Sequence, residues 1–125
     1  MEPVPTEIRL RKKSRLLTIR YADGREFDLS FEYLRVHSPS AEVKGHGPGQ
    51  ETLQTGKENV SVVEIEPVGR YAIRLIFDDG HNTGLYTWKY LYELGDEYDA
   101  RWRSYLDRLE AAGYARKKPE SRADS

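Results

Sequence analysis

Cysteine is absent from the 125 residues, which excludes a disulfide, a thiolate metal site, a thiol nucleophile and a thiol-held iron–sulfur cluster. No apolar run approaches the roughly 20 residues a membrane span needs, and the opening Met1-Glu2-Pro3-Val4-Pro5-Thr6-Glu7 has no apolar signal-peptide core. Neither sign of charge dominates: 20 Lys and Arg are interspersed with 21 Asp and Glu. No whole-chain field therefore draws nucleic acid or an anionic membrane, and the expectation is a soluble cytoplasmic protein with neither as partner. The length fits one domain burying about two-thirds of the surface its unfolded chain exposes.

What is present reads as α+β, a small antiparallel sheet built from hairpins with one short helix and two C-terminal helices packed against it. Strand-like segments at 8–10, 15–21 and 26–29 are joined by Asp23-Gly24, a pair that favours the positive φ of a tight turn. Ser30 is placed to cap a short helix over Phe31–Val36. Periodicity then disappears from His37 to about Val60, a glycine-rich loop of a length that tends to be functional. Strands follow at 60–67, with Val63 and Ile65 alternating against Glu64 and Glu66, and at 71–77, with Tyr71, Ile73, Leu75 and Phe77 on one face. Asp79-Gly80 makes another turn, Thr87 caps a helix that Gly95 is expected to stop, and Asp96 is the expected N-cap of a second helix ended by Gly113. Its seam is Tyr98, Trp102, Tyr105, Leu109 and Ala112. The domain organisation is a flexible N-terminus over 1–7, one domain over 8–113 and a charged, disordered tail over 114–125.

Three histidines, His37, His46 and His81, are the side chains that titrate near neutrality without perturbation. None lies in a metal-binding spacing, and His81, just after a turn, is expected to bond a carbonyl or a neighbouring aspartate. The segment Lys44-Gly45-His46-Gly47-Pro48-Gly49-Gln50 fits neither phosphate-binding glycine pattern, and Pro48 removes a donor. Ser38 and Ser40 lie near His37 but without a nucleophile elbow. Most aromatic residues of the C-terminal half belong to the core, with Tyr86 and Tyr90 expected to face outward, where tyrosines enrich interfaces.

Three segments carry a family resemblance over about residues 8–113: Leu34-Arg35-Val36-His37-Ser38-Pro39-Ser40-Ala41-Glu42-Val43 with Gly45-His46-Gly47-Pro48; Val68-Gly69-Arg70-Tyr71-Ala72; and Phe77-Asp78-Asp79-Gly80-His81 through Trp88 and Leu91. The chain resembles the gamma-butyrobetaine-hydroxylase-like N-terminal domain, a domain of unknown function (DUF971). The resemblance implies a compact α+β fold that stands alone in bacteria, precedes the catalytic domain of carnitine-pathway oxygenases and is attached to some iron–sulfur carrier ATPases. In the oxygenases it looks like an accessory zinc module held by three cysteines and a histidine. Those cysteine positions fall on Ser38, Ser40 and Val43 here, and the histidine on His81. Hydroxyls replace thiolates poorly and valine has no donor, so no zinc of the family type and no cofactor is expected.

The resulting expectation is a non-enzymatic accessory or binding module that docks a protein partner, with His46, Asp79, His81, Tyr86 and Trp88 as partner-binding residues. Iron–sulfur assembly and oxygenase support are pathways by analogy only. The alternative is a remodelled metal site using His81 with His37 or His46 and with Asp79 or Glu42 as oxygen ligands. A hydrolase or transferase has only generic polar residues behind it.

Overall fold

The computed structural model describes residues 3–44 and 52–117. Strands β1 (Pro5–Arg11), β2 (Leu16–Tyr21) and β3 (Glu26–Ser30) form one antiparallel sheet in the order β1-β2-β3. Two short helices, α1 (Phe31–Val36) and α2 (Ala41–Lys44), follow. Strands β4 (Val62–Val68), β5 (Ala72–Phe77) and β6 (Leu85–Thr87) make a second antiparallel sheet, and α3 (Trp88–Asp96) and α4 (Tyr98–Ala111) complete the chain. The α+β architecture of hairpins and C-terminal helices therefore holds, with two three-stranded sheets in place of one. Ser30 turns the chain directly from β3 into α1, its side chain accepting from Tyr33 N–H. Among the described residues, no helix is long and apolar enough to cross a membrane.

Both sheets contribute to one core. Leu17, Ile19 and Tyr21 of β2 meet Leu29, Phe31 and Leu34, and Ile73, Leu75 and Phe77 of β5 close over them with Leu91 and Leu94 of α3. The strict alternation in β5 puts these three on the buried face, as the period of two requires. Tyrosine hydroxyls inside this core reach backbone carbonyls: Tyr21 donates to Trp88 O at 2.8 Å and Tyr33 to Leu94 O at 2.6 Å. A buried phenol needs such an acceptor, and these bonds fasten α3 to β2 and to α1.

Several expectations are corrected. β1 begins at Pro5, which pairs with Tyr21, so residues 5–7 are part of the sheet. A register shift between Val62 and Glu64 pushes Val63 out to 46% exposure, and Tyr71 lies in the turn before β5 at 54% exposure. Gly95 does not stop α3. It sits inside the helix because the Phe27 ring packs where its Cβ would be, with Phe27 Cγ 2.3 Å from that position. Asp96 ends α3 and is held by Arg25 at 2.9 Å, which leaves Glu97 at the cap position of α4, where its side chain makes no capping bond and pairs with Arg101 instead. Ala112 lies exposed beyond the helix. Gly113, at φ 76°, ends α4 as expected. Its N–H reaches Glu110 O and the next N–H reaches Leu109 O, a Schellman turn that sends residues 114–117 back over the domain. Tyr114 and Arg116 are half-buried there and Ala115 and Lys117 exposed; the rest of the expected tail, 118–125, lies outside the described residues.

Candidate functional site

The segment after α1 meets the turn after β5. Gly80, at φ 89°, lets the chain reverse after Phe77, and Phe77 N–H bonds His81 O at 3.0 Å. This turn carries Asp79 and His81 against residues 35–42. The His81 ring is buried, with Nε2 2.8 Å from Ser38 Oγ and Nδ1 3.0 Å from Glu42 Oε2. A carboxylate only accepts, so Nδ1 carries the proton and donates to Glu42, leaving Nε2 to accept from the Ser38 hydroxyl. Burial pushes the His81 pKa down, helped by the Arg35 charge, against the opposing pull of Glu42 and Asp79. The neutral tautomer is the one this geometry needs.

The network continues outward. Ser38 Oγ accepts Ser40 N–H at 3.2 Å, Ser40 Oγ accepts Glu42 N–H at 3.2 Å, and Ser40 and Thr83 hydroxyls share a bond of 2.7 Å. On the other side Asp79 Oδ1 accepts His81 N–H at 3.1 Å, while Oδ2 takes Arg35 Nε at 2.8 Å and Lys57 Nζ at 2.6 Å. Burial would raise the Asp79 pKa, but Lys57, the His81 N–H and Arg35 outweigh it and hold it down to about 2. Arg35 itself is buried beside the Phe77 ring, and its Nη1 has no hydrogen-bond partner among the described residues.

Ser38, His81 and Glu42 thus repeat the donor order of a serine-hydrolase triad. The resemblance stops at access. Ser38 is 0% exposed, and Gly84 packs so closely that a Cβ there would lie 2.5 Å from Ser38 Oγ. Glu42, the orienting group, is the member in water, its side chain 63% exposed. The Ser38 hydroxyl is thus closed to solvent in this arrangement.

The other predicted residues are distributed differently. His37 lies against the Tyr33 ring, and its Nδ1–H donates to Tyr33 O at 3.0 Å. Burial pushes its pKa down to about 4. Tyr86 does not face outward: it is wholly buried and donates to Leu34 O at 2.6 Å. Tyr90 is half-buried and donates to His37 O at 2.5 Å, because α3 turns it inward over the segment after α1. Trp88 is half-buried and donates to Arg70 O at 2.7 Å. Among the described residues no group of three or more His, Asp and Glu is placed to hold a metal, and His46 lies outside them. Sequence reasoning missed Arg35, Lys57, Thr83 and Gly84. A charged residue inside the buried helix α1 was the available signal for Arg35.

The position that the family resemblance assigns to zinc is filled by this network. Two neutral hydroxyls, a valine and an imidazole already bonded at both nitrogens do not fit the metal.

The family described as gamma-butyrobetaine hydroxylase-like, N-terminal, matches residues 8–92. Among curated proteins none matches the chain. Two solution structures determined by NMR are each 50% identical to it. One has a TM-score of 0.80, covering 97% of this chain and 90% of its own. The other has a TM-score of 0.81, covering 98% and 97%. A crystal structure of a protein with unknown function from Acidithiobacillus ferrooxidans, of the DUF971 family, is 48% identical over 73% of this chain and 91% of its own, with a TM-score of 0.62. With the family match over most of its length and relatives this similar, the chain belongs to the gamma-butyrobetaine hydroxylase-like N-terminal (DUF971) family.

Proposed function

We propose that this domain acts without catalysing a reaction, as an accessory module that docks a protein partner through the rim of the Ser38–His81 network. One observation carries the reading: the hydroxyl and imidazole that would do chemistry are buried and bonded to each other, while Glu42, Gly80, Asn82 and Thr83 around them are exposed. A buried network of satisfied polar groups fixes the shape of a surface. His81 and Tyr86 then support that surface from behind and do not touch the partner. By analogy with the proteins to which this domain is attached, iron–sulfur assembly or oxygenase support is the setting for such a partner.

The test is co-purification from the native host with the wild-type chain and with Asn82→Arg and Asn82→Glu, two changes at an exposed rim position that leave the Ser38–His81–Glu42 bonds in place. A partner retained by the wild type and lost with either variant, at unchanged thermal stability, is expected. A partner held equally by all three, or no partner at any expression level, would sink the docking reading. Elemental analysis of untagged protein after zinc supplementation is expected to find only substoichiometric metal; one equivalent, lost on His81→Ala, would favour the remodelled metal site.

A further inference from the structure

On a different face, the Schellman turn at Gly113 lays residues 114–117 across a notch between α1 and α4. Arg116 Nε donates to Glu32 Oε2 at 2.9 Å and its Nη2 to Glu32 Oε1, a bidentate fork. The guanidinium also lies over Trp102, with Cζ 5.4 Å from the ring centroid. Glu58 fastens the segment on either side: its Oε2 accepts the Tyr114 hydroxyl at 2.9 Å and Lys117 N–H at 2.6 Å. Glu32 and Glu58 are both buried. Burial would raise the Glu58 pKa, but the Lys117 N–H, its own N–H and Tyr114 hold it below its ordinary value.

We propose that Glu32 and Trp102 form a recognition notch for an arginine side chain, which Arg116 fills in cis as an exchangeable strap and an arginine-bearing segment of another polypeptide fills in trans. Three observations carry it. A buried carboxylate demands a paired cation, and among the described residues the Glu32 carboxylate has Arg116 for that role. The pairing is a two-bond fork with the guanidinium over the Trp102 ring, and the fork is a geometry that guanidinium makes and ammonium does not. The strap itself has no helix or strand to hold it, being anchored by side-chain bonds to two glutamates. Beside the guanidinium a cavity of about 270 Å³, walled by Arg15, Ser30 and Tyr98 as well as Trp102, leaves room for more than the strap supplies. The strap thereby competes with the external arginine and sets the threshold for its binding.

The experiment follows the Trp102 indole N–H signal by NMR in the full chain while N-acetyl-arginine amide is added. In Arg116→Ala the signal is expected to move saturably, at concentrations about 10-fold or more below those needed by the wild type, where Arg116 competes. N-acetyl-lysine amide is expected to leave it unmoved, and Glu32→Gln in the Arg116→Ala background to abolish the response. Arg116→Lys keeps a charge against Glu32 and so guards against loss of fold. Its strap, lacking the fork, is expected to yield to the arginine amide more readily than that of the wild type. Equal response to the two amides, no response in either Arg116 variant, or a response that survives Glu32→Gln would overturn the proposal.

Discussion

Ser38→Ala separates a structural hydroxyl from an incidental one. The substitution removes the donor to His81 Nε2, 2.8 Å away, and the acceptor of Ser40 N–H, 3.2 Å away. Both are buried positions, and a buried polar group left without a partner costs about 1–3 kcal/mol. Two such groups bring the expected loss to roughly 2–6 kcal/mol, a large part of the ~5–15 kcal/mol that holds a typical domain. The melting temperature should fall by about 10 °C or more. Gly84→Ala supplies the partner measurement, because its Cβ would lie 2.5 Å from Ser38 Oγ and 3.1 Å from Tyr86 Cε1. Alone it should destabilise by about 1–3 kcal/mol through overpacking. In the Ser38→Ala background the offending oxygen is gone, so the double variant should be more stable than the sum of the two losses, by at least ~0.5 kcal/mol. Urea unfolding followed by circular dichroism gives all four stabilities. A Ser38→Ala loss under about 0.5 kcal/mol, or strict additivity with Gly84→Ala, would refute the view that the hydroxyl is locked between His81 and Gly84.

The His37 pKa falls from 6.5 unfolded to about 4 folded, so the unfolded chain binds the extra proton between these values. Stability is complete above pH 6.5 and is lost as the pH falls towards 4, by about 3 kcal/mol. Urea titrations across that window should give His37→Gln a flatter profile than the wild type, and parallel profiles would contradict the assignment. Gly95→Ala should destabilise by about 1–3 kcal/mol although alanine normally favours a helix by about 1 kcal/mol. The reason is that the new Cβ would fall 2.3 Å from Phe27 Cγ, in a ring held edge-on by Tyr21 and Tyr92. A rise in melting temperature would show that Phe27 can retreat. A serine-directed fluorophosphonate should leave Ser38 unlabelled in the folded protein by mass spectrometry, and stoichiometric labelling would reopen the hydrolase reading.

Much of the fold was legible because its signals are local. Asp23-Gly24 and Asp79-Gly80 announce their turns through positive φ, and Ser30 and Thr87 announce their helices through side-chain oxygens that accept from Tyr33 and Tyr90 N–H. The errors arose where a distant side chain overrode a local preference. Phe27, a strand residue, keeps glycine inside α3, and Arg25 takes Asp96 away from capping α4. Tyr86 reads as an outward-facing aromatic, but Leu34 O, far away in sequence, accepts its hydroxyl and the core closes around it.

The site divides along the same line. The sequence by itself determined that no thiolate could stand at positions 38, 40 and 43, that His81 follows a tight turn, and that the chemistry available there is hydroxyl, imidazole and carboxylate. It also placed a helix-ending glycine at 113. Only the tertiary structure decided that Ser38, His81 and Glu42 form one hydrogen-bonded line, that Gly84 walls it in, and that Arg116 returns to Glu32 across 84 residues of chain. Turn chemistry and donor type are properties of one or two adjacent residues. Burial, pairing and access depend on which distant segments the collapse of the shared core brings together, and no local pattern encodes that.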